Sequence, residues 1–212
     1  SPEVLIPRLY PLIGRKPQPA PAPSAPDQPK REVVIPFKPD GQGVKMFPRP
    51  PTMCVACPHL GIYYTLAHIR NKLISGDIGC YTLGAGQPWN ALDTCISMGA
   101  SMGVALGLDK GRNPDDDNKS IIAVIGDSTF MHMGMQGLLD IAYNRGNVTI
   151  LLLDNRAVGM TGGQENPGTG RDIHGEETLR VDFRKLCEAL GVRAERIHEV
   201  NPYELPTLFK VL

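Results

Sequence analysis

IIAVIGDSTFMHMGMQGLLDIAYNRGNVTILLLDN, residues 121–155, decides the fold. It opens on a short apolar run, Ile121 to Gly126, and closes on another, Val148 to Asn155. Both runs are bounded by turn residues and are too short for an ordinary helix, so both are predicted strands. Met133 to Arg145 between them carries helical spacing. Strand, helix and strand of these lengths make a βαβ unit with parallel strands, and continuous rather than alternating apolar content marks a sheet covered on both faces. Open sheets of this kind bind ligands at the loops leaving the strands' carboxyl ends. Gly126-Asp127-Ser128 leaves the first strand and Asp154-Asn155 leaves the second.

The same pattern of apolar runs and Gly-rich turns holds from Pro51 onward. It predicts an α/β domain over residues 52–212, built as an open, mainly parallel sheet with helices on both faces. Upstream of the βαβ unit, Ala91 to Leu108 (ALDTCISMGASMGVALGL) is rich in Gly, Ala and Ser and reads as a helix that lets other backbone approach closely. Downstream, Leu179 to Leu190 reads as a helix and Val192 to Val200 as a strand. Asn201 and Pro202 then fit the cap and first position of another helix. Residues 1–51 differ in kind. They hold 14 of the 20 prolines, including PQPAPAPSAPDQP at 17–29, a composition that favours an extended linker over a packed core.

A length of 212 residues with 42% apolar content suits one domain core plus a tail. Lys and Arg number 22 and so do Asp and Glu, which leaves no excess positive charge to attract nucleic acid. No apolar stretch is long enough to span a membrane, and SPEVLIPRLYPLIGRK lacks the order of a secretory signal, so a cytoplasmic location is expected. The absence of Met at position 1 and the ending LFKVL within a helical pattern read as a piece of a longer chain.

A carboxylate from Asp127 and an amide oxygen from Asn155, offered by adjacent loops, suit a hard divalent cation such as Mg²⁺ that also holds phosphate oxygens. The helix that follows Ser128 would turn its free N–H groups toward the same place, favouring a diphosphate. Each half of this pair has a plainer reading, since Gly-Asp at a strand end is frequently a turn and helix cap. Cys54-Val-Ala-Cys57-Pro58-His59 supplies a CxxC, and Cys80 follows in GDIGCYTLG. Three thiolates suit zinc with His59 as a fourth ligand, three of the four ligands of an iron–sulfur cluster, or reduced buried thiols. Cys95 and Cys187 fall in helical patterns and are expected to pack as small apolar residues.

Gly126-Asp127-Ser128 with Asn155 some thirty residues on resembles the thiamine-diphosphate motif, written GDG with a downstream Asn, Ser128 standing for the third Gly. Thr161-Gly162-Gly163-Gln164 resembles the TGGQ or TGHQ turn of the 2-oxoacid:ferredoxin oxidoreductases. RPPTMCVACPHLG, GDIGCYTLG, WNALDTCISMGAS, AVIGDSTFMHMG and LLLDNRAVGMTGGQ together resemble the large-subunit family of indolepyruvate ferredoxin oxidoreductases over residues 49–168; QENPG departs from that family's frequent QPHPG.

The resemblance implies a thiamine-diphosphate-binding fold of the diphosphate type over 52–212. Asp127, Asn155 and the Ala157 carbonyl would hold Mg²⁺, Gly126, Ser128 and Thr161 would face the diphosphate, and His59 would approach the phosphates or be a hydrogen-bonded structural residue. Cys54, Cys57 and Cys80 would ligate a 4Fe–4S cluster whose fourth ligand lies after Leu212. The implied activity is oxidative decarboxylation of a 2-oxo acid, an aryl pyruvate such as indolepyruvate, to acyl-CoA and CO₂, with ferredoxin as electron acceptor. No catalytic residue is assigned within the chain. The activating Glu would come from a separate pyrimidine-binding domain, making the chain part of an oligomeric assembly with further subunits. Two alternatives are a non-redox thiamine enzyme and, from a different class, a zinc-binding interaction module. The stretch from Gly162 to Gly175 reads as a lid or as a surface loop, methionines around His132 as core filling, and His68, His174 and His198 carry no assigned chemistry.

Overall fold

Ser120–Gly126 is a strand because its side chains are apolar on both faces. Ile122 and Val124 are buried in one apolar cluster, while Ile121, Ala123 and Ile125 are buried in another on the opposite side. The computed structural model describes residues 34–35, 44–45, 51–113 and 119–212. The chain divides into two compact units, Ser1–Pro50 and Pro51–Leu212. In the first unit, β1 (Val34–Ile35) and β2 (Val44–Lys45) pair antiparallel. The rest of the Pro-rich linker expected over 1–51 lies, up to Pro50, outside the described residues.

The second unit runs α1 (His59–His68), β3 (Lys72–Gly76), a 3₁₀ turn (Cys80–Ala85), β4 (Thr94–Cys95), α2 (Ser101–Gly111) and β5 (Ser120–Gly126). A helical run follows from Asp127 and ends as α3 (Met135–Tyr143), then β6 (Val148–Leu153), α4 (Phe183–Ala189) and α5 (Leu205–Val211). The strands form one parallel sheet in the order β4-β3-β5-β6. Ile62, Tyr63 and Leu66 of α1 and Leu208 of α5 cover one face. Met102, Ala105 and Leu106 of α2 and Leu138 and Ile141 of α3 cover the other, with Phe183 and Leu186 of α4 packed against them. The open parallel sheet with helices on both faces is therefore the architecture read from the sequence. Among the described residues no helix is long and apolar enough to cross a membrane.

Several elements differ from their sequence reading. The helix expected from Ala91 begins only at Ser101, and Thr94–Cys95 joins the sheet as an edge strand. Two forces override local propensity there. The Asp77 carboxylate accepts from the Gly99 and Ser101 amides at 2.8 and 3.0 Å, and Gly99 sits at φ +79°, where a helix cannot continue. Cys95 is consequently exposed rather than packed inside a helix, with its thiol 3.5 Å from the Asp77 carbonyl. Cys187 does lie on α4, half-buried. The strand expected over 192–200 is replaced by a 3₁₀ turn at Ala194–Arg196, where the Arg184 guanidinium donates to the carbonyls of Ala194 and Ile197. Asn201 does not cap a helix directly. Its side chain accepts from the Tyr203 amide in a preceding turn, and α5 starts at Leu205 with Pro206 in its first turn.

Candidate functional site

The β5–β6 register sets Gly126 beside Leu153, so Asp127 and Asp154 emerge side by side at the carboxyl edge of the sheet. Helical backbone begins at Asp127 rather than at Met133, passes through a π turn at Phe130–Gly134 and continues into α3. Single π turns of this kind concentrate at functional sites. Gly126 is extended at φ −82°, so its small size rather than backbone freedom is what the position needs. A Cβ there would lie 2.5 Å from the Tyr81 ring.

Asp127 is 2% exposed. One carboxylate oxygen accepts from the Ser128 amide at 2.8 Å, and the other is buried without a hydrogen-bond partner. Burial raises its pKa above the usual carboxylate value and the nearby Asp154 raises it further; the Ser128 amide, the Asn166 side chain and the Arg156 amide offset part of this. A buried acceptor with no donor, in a negative field, is what a cation would complete.

The β6 exit loop is shaped by its own side chains. Asp154 Oδ1 accepts from the Arg156 amide at 3.1 Å and Asn155 Oδ1 from the Ala157 amide at 3.2 Å, while Arg156 takes φ +53°. The turn after it is closed by a mutual clasp, in which the Thr161 hydroxyl donates to Gln164 Oε1 at 2.6 Å and Gln164 Nε2 donates to the Thr161 carbonyl at 2.7 Å. Gly162 and Gly163 reach φ +117° and +80°, and the Gly163 amide donates to the Val158 carbonyl. TGGQ is thus a hydrogen-bonded turn. The stretch beyond it is also built. Asn166 and Gly168 are buried, the Val181 amide donates to the Pro167 carbonyl, and the backbones of Arg171 and Glu177 pair in an isolated antiparallel β-bridge.

Residues 77–210 match the family described as thiamine pyrophosphate enzyme, C-terminal TPP binding domain. The chain belongs to that family. It is 39% identical over 176 residues to the indolepyruvate oxidoreductase subunit IorA of Pyrococcus horikoshii, covering 78% of this chain and 27% of that protein. Against the same-named subunit of Archaeoglobus fulgidus it is 41% identical over 169 residues, covering 78% and 26%. The chain therefore spans about a quarter of the length of these relatives. Its fold is shared with a 2-oxoglutarate:ferredoxin oxidoreductase from Magnetococcus marinus at a TM-score of 0.58 and 21% identity, over 76% of this chain and 59% of that one. Benzoylformate decarboxylase from Polynucleobacter necessarius shares it at 0.52 and 16%, over 80% and 33%.

For a TPP-binding domain, the remaining residues named from the sequence fall into two groups. Asp127, Ser128 and Asn155 sit on the two strand-end loops, and Cys80 joins them, since a Cβ built on Gly159 would lie 3.6 Å from the Cys80 sulfur and 3.9 Å from Asn155 Nδ2. Cys54 and Cys57 lie in a turn closed by the Cys57 amide on the Cys54 carbonyl, with the Tyr203 hydroxyl on Ala56 O. Burial pushes the Cys80 thiol up, and Cys57 and Cys54 push it further. No three His, Cys, Asp or Glu side chains form a compact metal-binding group among the described residues.

His59 is 3% exposed, and burial lowers its pKa, which keeps the ring neutral at neutral pH. Its ring meets Tyr81 edge-on at 6.0 Å, one ring away from Gly126. Thr161 commits its hydroxyl to Gln164. His132 is exposed on the π turn. Three residues of the site were not singled out from sequence. The Tyr81 hydroxyl donates to the Ile78 carbonyl and accepts from the Thr129 hydroxyl, with its pKa pushed up to about 12 chiefly by burial. Asp77 and Asn166 are the others. Asp77 was visible only as a second Gly-Asp pair, and Asn166 only as a turn former before proline.

Proposed function

We propose that this domain binds the diphosphate of thiamine diphosphate through a divalent cation, as part of an oxidoreductase acting on 2-oxo acids. The observation that carries this is the Asp127 carboxylate oxygen, buried and unpartnered at the carboxyl edge of the sheet, in a chain of the TPP-binding family. Asp127 and Asn155 would hold Mg²⁺ through side-chain oxygens and Ala157 through its carbonyl. Gly126, Ser128 and Thr161 would lie against the diphosphate, and His59 would shape the same end of the sheet. Bound thiamine diphosphate supplies the electron sink for decarboxylation, and the protein supplies position and charge.

The chain's own residues account for the binding step. Asp127 starts the helical run, so its carboxylate and the run's first amides face one point, and a cation–diphosphate pair placed there neutralises both the carboxylate and the dipole. Because the named relatives are indolepyruvate oxidoreductase subunits, the substrate class is an aryl pyruvate. The overall reaction converts 2-oxo acid and CoA to acyl-CoA and CO₂, releasing two electrons to ferredoxin one at a time. Cys54, Cys57 and Cys80 would supply three thiolates to a 4Fe–4S cluster on that electron path, the fourth ligand coming from elsewhere. A pyrimidine-binding domain and further subunits would complete the site and supply the activating Glu.

The test is anaerobic assay of the full-length protein with its partner subunits. Ferredoxin reduction that requires aryl pyruvate, CoA, thiamine diphosphate and Mg²⁺ is the expected result, with iron present in the assembly. CO₂ release without ferredoxin reduction would replace the redox reading with a non-redox decarboxylase, and zinc without saturable thiamine diphosphate binding would replace it with an interaction module. CoA-dependent turnover by residues 1–212 alone would overturn the need for a separate pyrimidine-binding domain.

A further inference from the structure

Cys54 to Cys57 is a turn closed by the Cys57 amide on the Cys54 carbonyl at 3.2 Å, and its third residue, Ala56, sits at φ +57°. That position of such a turn ordinarily takes Gly or Asn, because a Cβ disfavours left-handed backbone. A left-handed alanine persists where surrounding contacts hold it. One contact here comes from far along the chain: the Tyr203 hydroxyl donates to the Ala56 carbonyl at 2.9 Å. Tyr203 is delivered by a turn that is itself fixed, since the Asn201 side chain accepts from the Tyr203 amide at 3.1 Å and the Asn201 carbonyl from the Glu204 amide at 3.0 Å. That turn is seated against α1, where a Cβ on Gly61 would come within 2.0 Å of the Pro202 carbonyl oxygen, so glycine is what admits it. The helix in turn follows directly from the cysteine turn, with the Leu60 amide donating to the Cys57 carbonyl at 3.0 Å. Tyr203 is 62% exposed and adds little to the core. What its hydroxyl reaches is the cysteine turn.

We propose that Tyr203 is a positioning residue for the Cys54–Cys57 pair, holding the left-handed turn in the form in which both thiols bind one soft metal centre. The inference rests on the reading of these two cysteines as metal ligands. The donor set fits part of such a centre, since both thiols are free and a CxxC pair of thiolates is what zinc and iron–sulfur sites share. The Tyr203 bond acts before any metal arrives. It reduces the share of other conformations open to the empty turn, a share that a chelating pair otherwise gives up in affinity. The turn from Asn201 to Glu204, whose first two residues read from the sequence as a helix cap, thereby acquires a role at the opposite end of the domain's sequence.

The test uses the metal-free full-length protein, reduced and kept anaerobic, with Cd²⁺ as the probe. Mass spectrometry of the peptide that holds Cys54 and Cys57 gives the Cd²⁺ concentration that half-protects the pair from alkylation, whatever other cysteines the protein carries. The Tm is followed alongside. Tyr203→Phe is expected to raise that concentration by roughly 3–10-fold, the equilibrium equivalent of one net hydrogen bond, while the Tm moves by no more than a few degrees. Ala56→Gly in the Tyr203→Phe background is expected to recover much of the loss, because glycine takes the left-handed form without a clasp. Unchanged protection in Tyr203→Phe overturns the inference and leaves the cysteines as ligands. A collapsed Tm, or no recovery with Ala56→Gly, makes Tyr203 structural only and overturns it as well. Failure of Cd²⁺ to protect the wild-type pair overturns the inference together with the metal reading of Cys54 and Cys57, while the thiamine diphosphate reading stands.

Discussion

Gly76-Asp77 and Gly126-Asp127 are the same dipeptide at the carboxyl ends of two neighbouring parallel strands, and both aspartates are buried. Their surroundings are opposite. Asp77 accepts from the Ile78, Gly99 and Ser101 amides with its carboxylate, and from the Thr82 hydroxyl and Cys95 thiol with its carbonyl. It ties β3, β4, the 3₁₀ turn and the start of α2 into one corner. Asp127 has a single amide on one oxygen and nothing on the other. One Gly-Asp commits its charge to the fold, and the other leaves a buried oxygen unsatisfied, which is what the proposed cation site rests on. Burial of a carboxylate is therefore uninformative alone, and what separates structure from function is the count of donors.

Breaking the structural corner gives the largest effect. Asp77→Ala leaves three backbone N–H groups without their acceptor, at about 1–3 kcal/mol each, against a typical total stability of about 5–15 kcal/mol. Loss of soluble protein, or a urea midpoint lowered by more than half, is the expected outcome. A variant with wild-type stability would remove the distinction between the corners.

Breaking the other corner moves binding instead. Asp127→Asn is expected to weaken metal-dependent thiamine diphosphate binding by roughly 100-fold or more, followed by calorimetric titration. Stability should move the opposite way. The folded protein raises the pKa of Asp127, so without cofactor this group favours folding most below the ordinary carboxylate pKa, and the benefit is lost as pH rises through the folded value. At neutral pH the ionised side chain opposes folding, and Asn relieves that. The cofactor-free Tm of Asp127→Asn should exceed wild type at pH 7, and the gap should narrow as pH falls toward 4. A lower Tm at pH 7 would mean that Asp127 is a second structural corner.

Gly126→Ala probes the wall behind the site. A methyl group would meet the Tyr81 ring, which its hydroxyl bonds to Ile78 and Thr129 hold in place. Overpacking of this kind costs about 1–3 kcal/mol. Because the cause is the ring, Gly126→Ala combined with Tyr81→Leu should destabilise less than the sum of the two single changes, in a double-mutant cycle read by urea unfolding. Strict additivity would move the requirement for glycine from the ring to the ligand side.

The sheet was legible because its signals are local. Ile121 to Gly126 and Val148 to Leu153 are apolar on both faces, and nothing distant changes what such runs do. Elements set by distant contacts were not. The stretch Ala91 to Ala100 has helical composition, yet it is held by Asp77, more than twenty residues earlier, in a form no window over 91–108 contains. Asp127 and Asn155 could be picked out because each sits just after a strand whose end the pattern marks. Asn166 could not, since its burial and the bond it accepts from Gly168 belong to an irregular loop that no local pattern marks. The cysteines fall between these cases. Cys54 and Cys57 are spaced for a common partner, but only the fold brings Cys80 beside Asn155.

Asp127 is not alone in carrying a buried oxygen without a partner. Tyr63 on α1 is fully buried, its hydroxyl has no partner, and burial raises its pKa. By unsatisfied oxygens alone it ranks with Asp127. It differs in place and in charge, because it packs in the apolar cluster beneath β3 and β5 and its ring fills the space over Gly84. Tyr63→Phe keeps that ring and removes the orphaned hydroxyl, so it should be neutral or stabilising by about 1 kcal/mol, with no change in metal-dependent thiamine diphosphate binding. A loss of binding would connect this hydroxyl to the site. A loss of stability would give it a partner in solution, most simply an ordered water. If neither occurs, an unpartnered oxygen marks a ligand site only where it carries charge and lies at the strand ends, which is the condition Asp127 meets and Tyr63 does not.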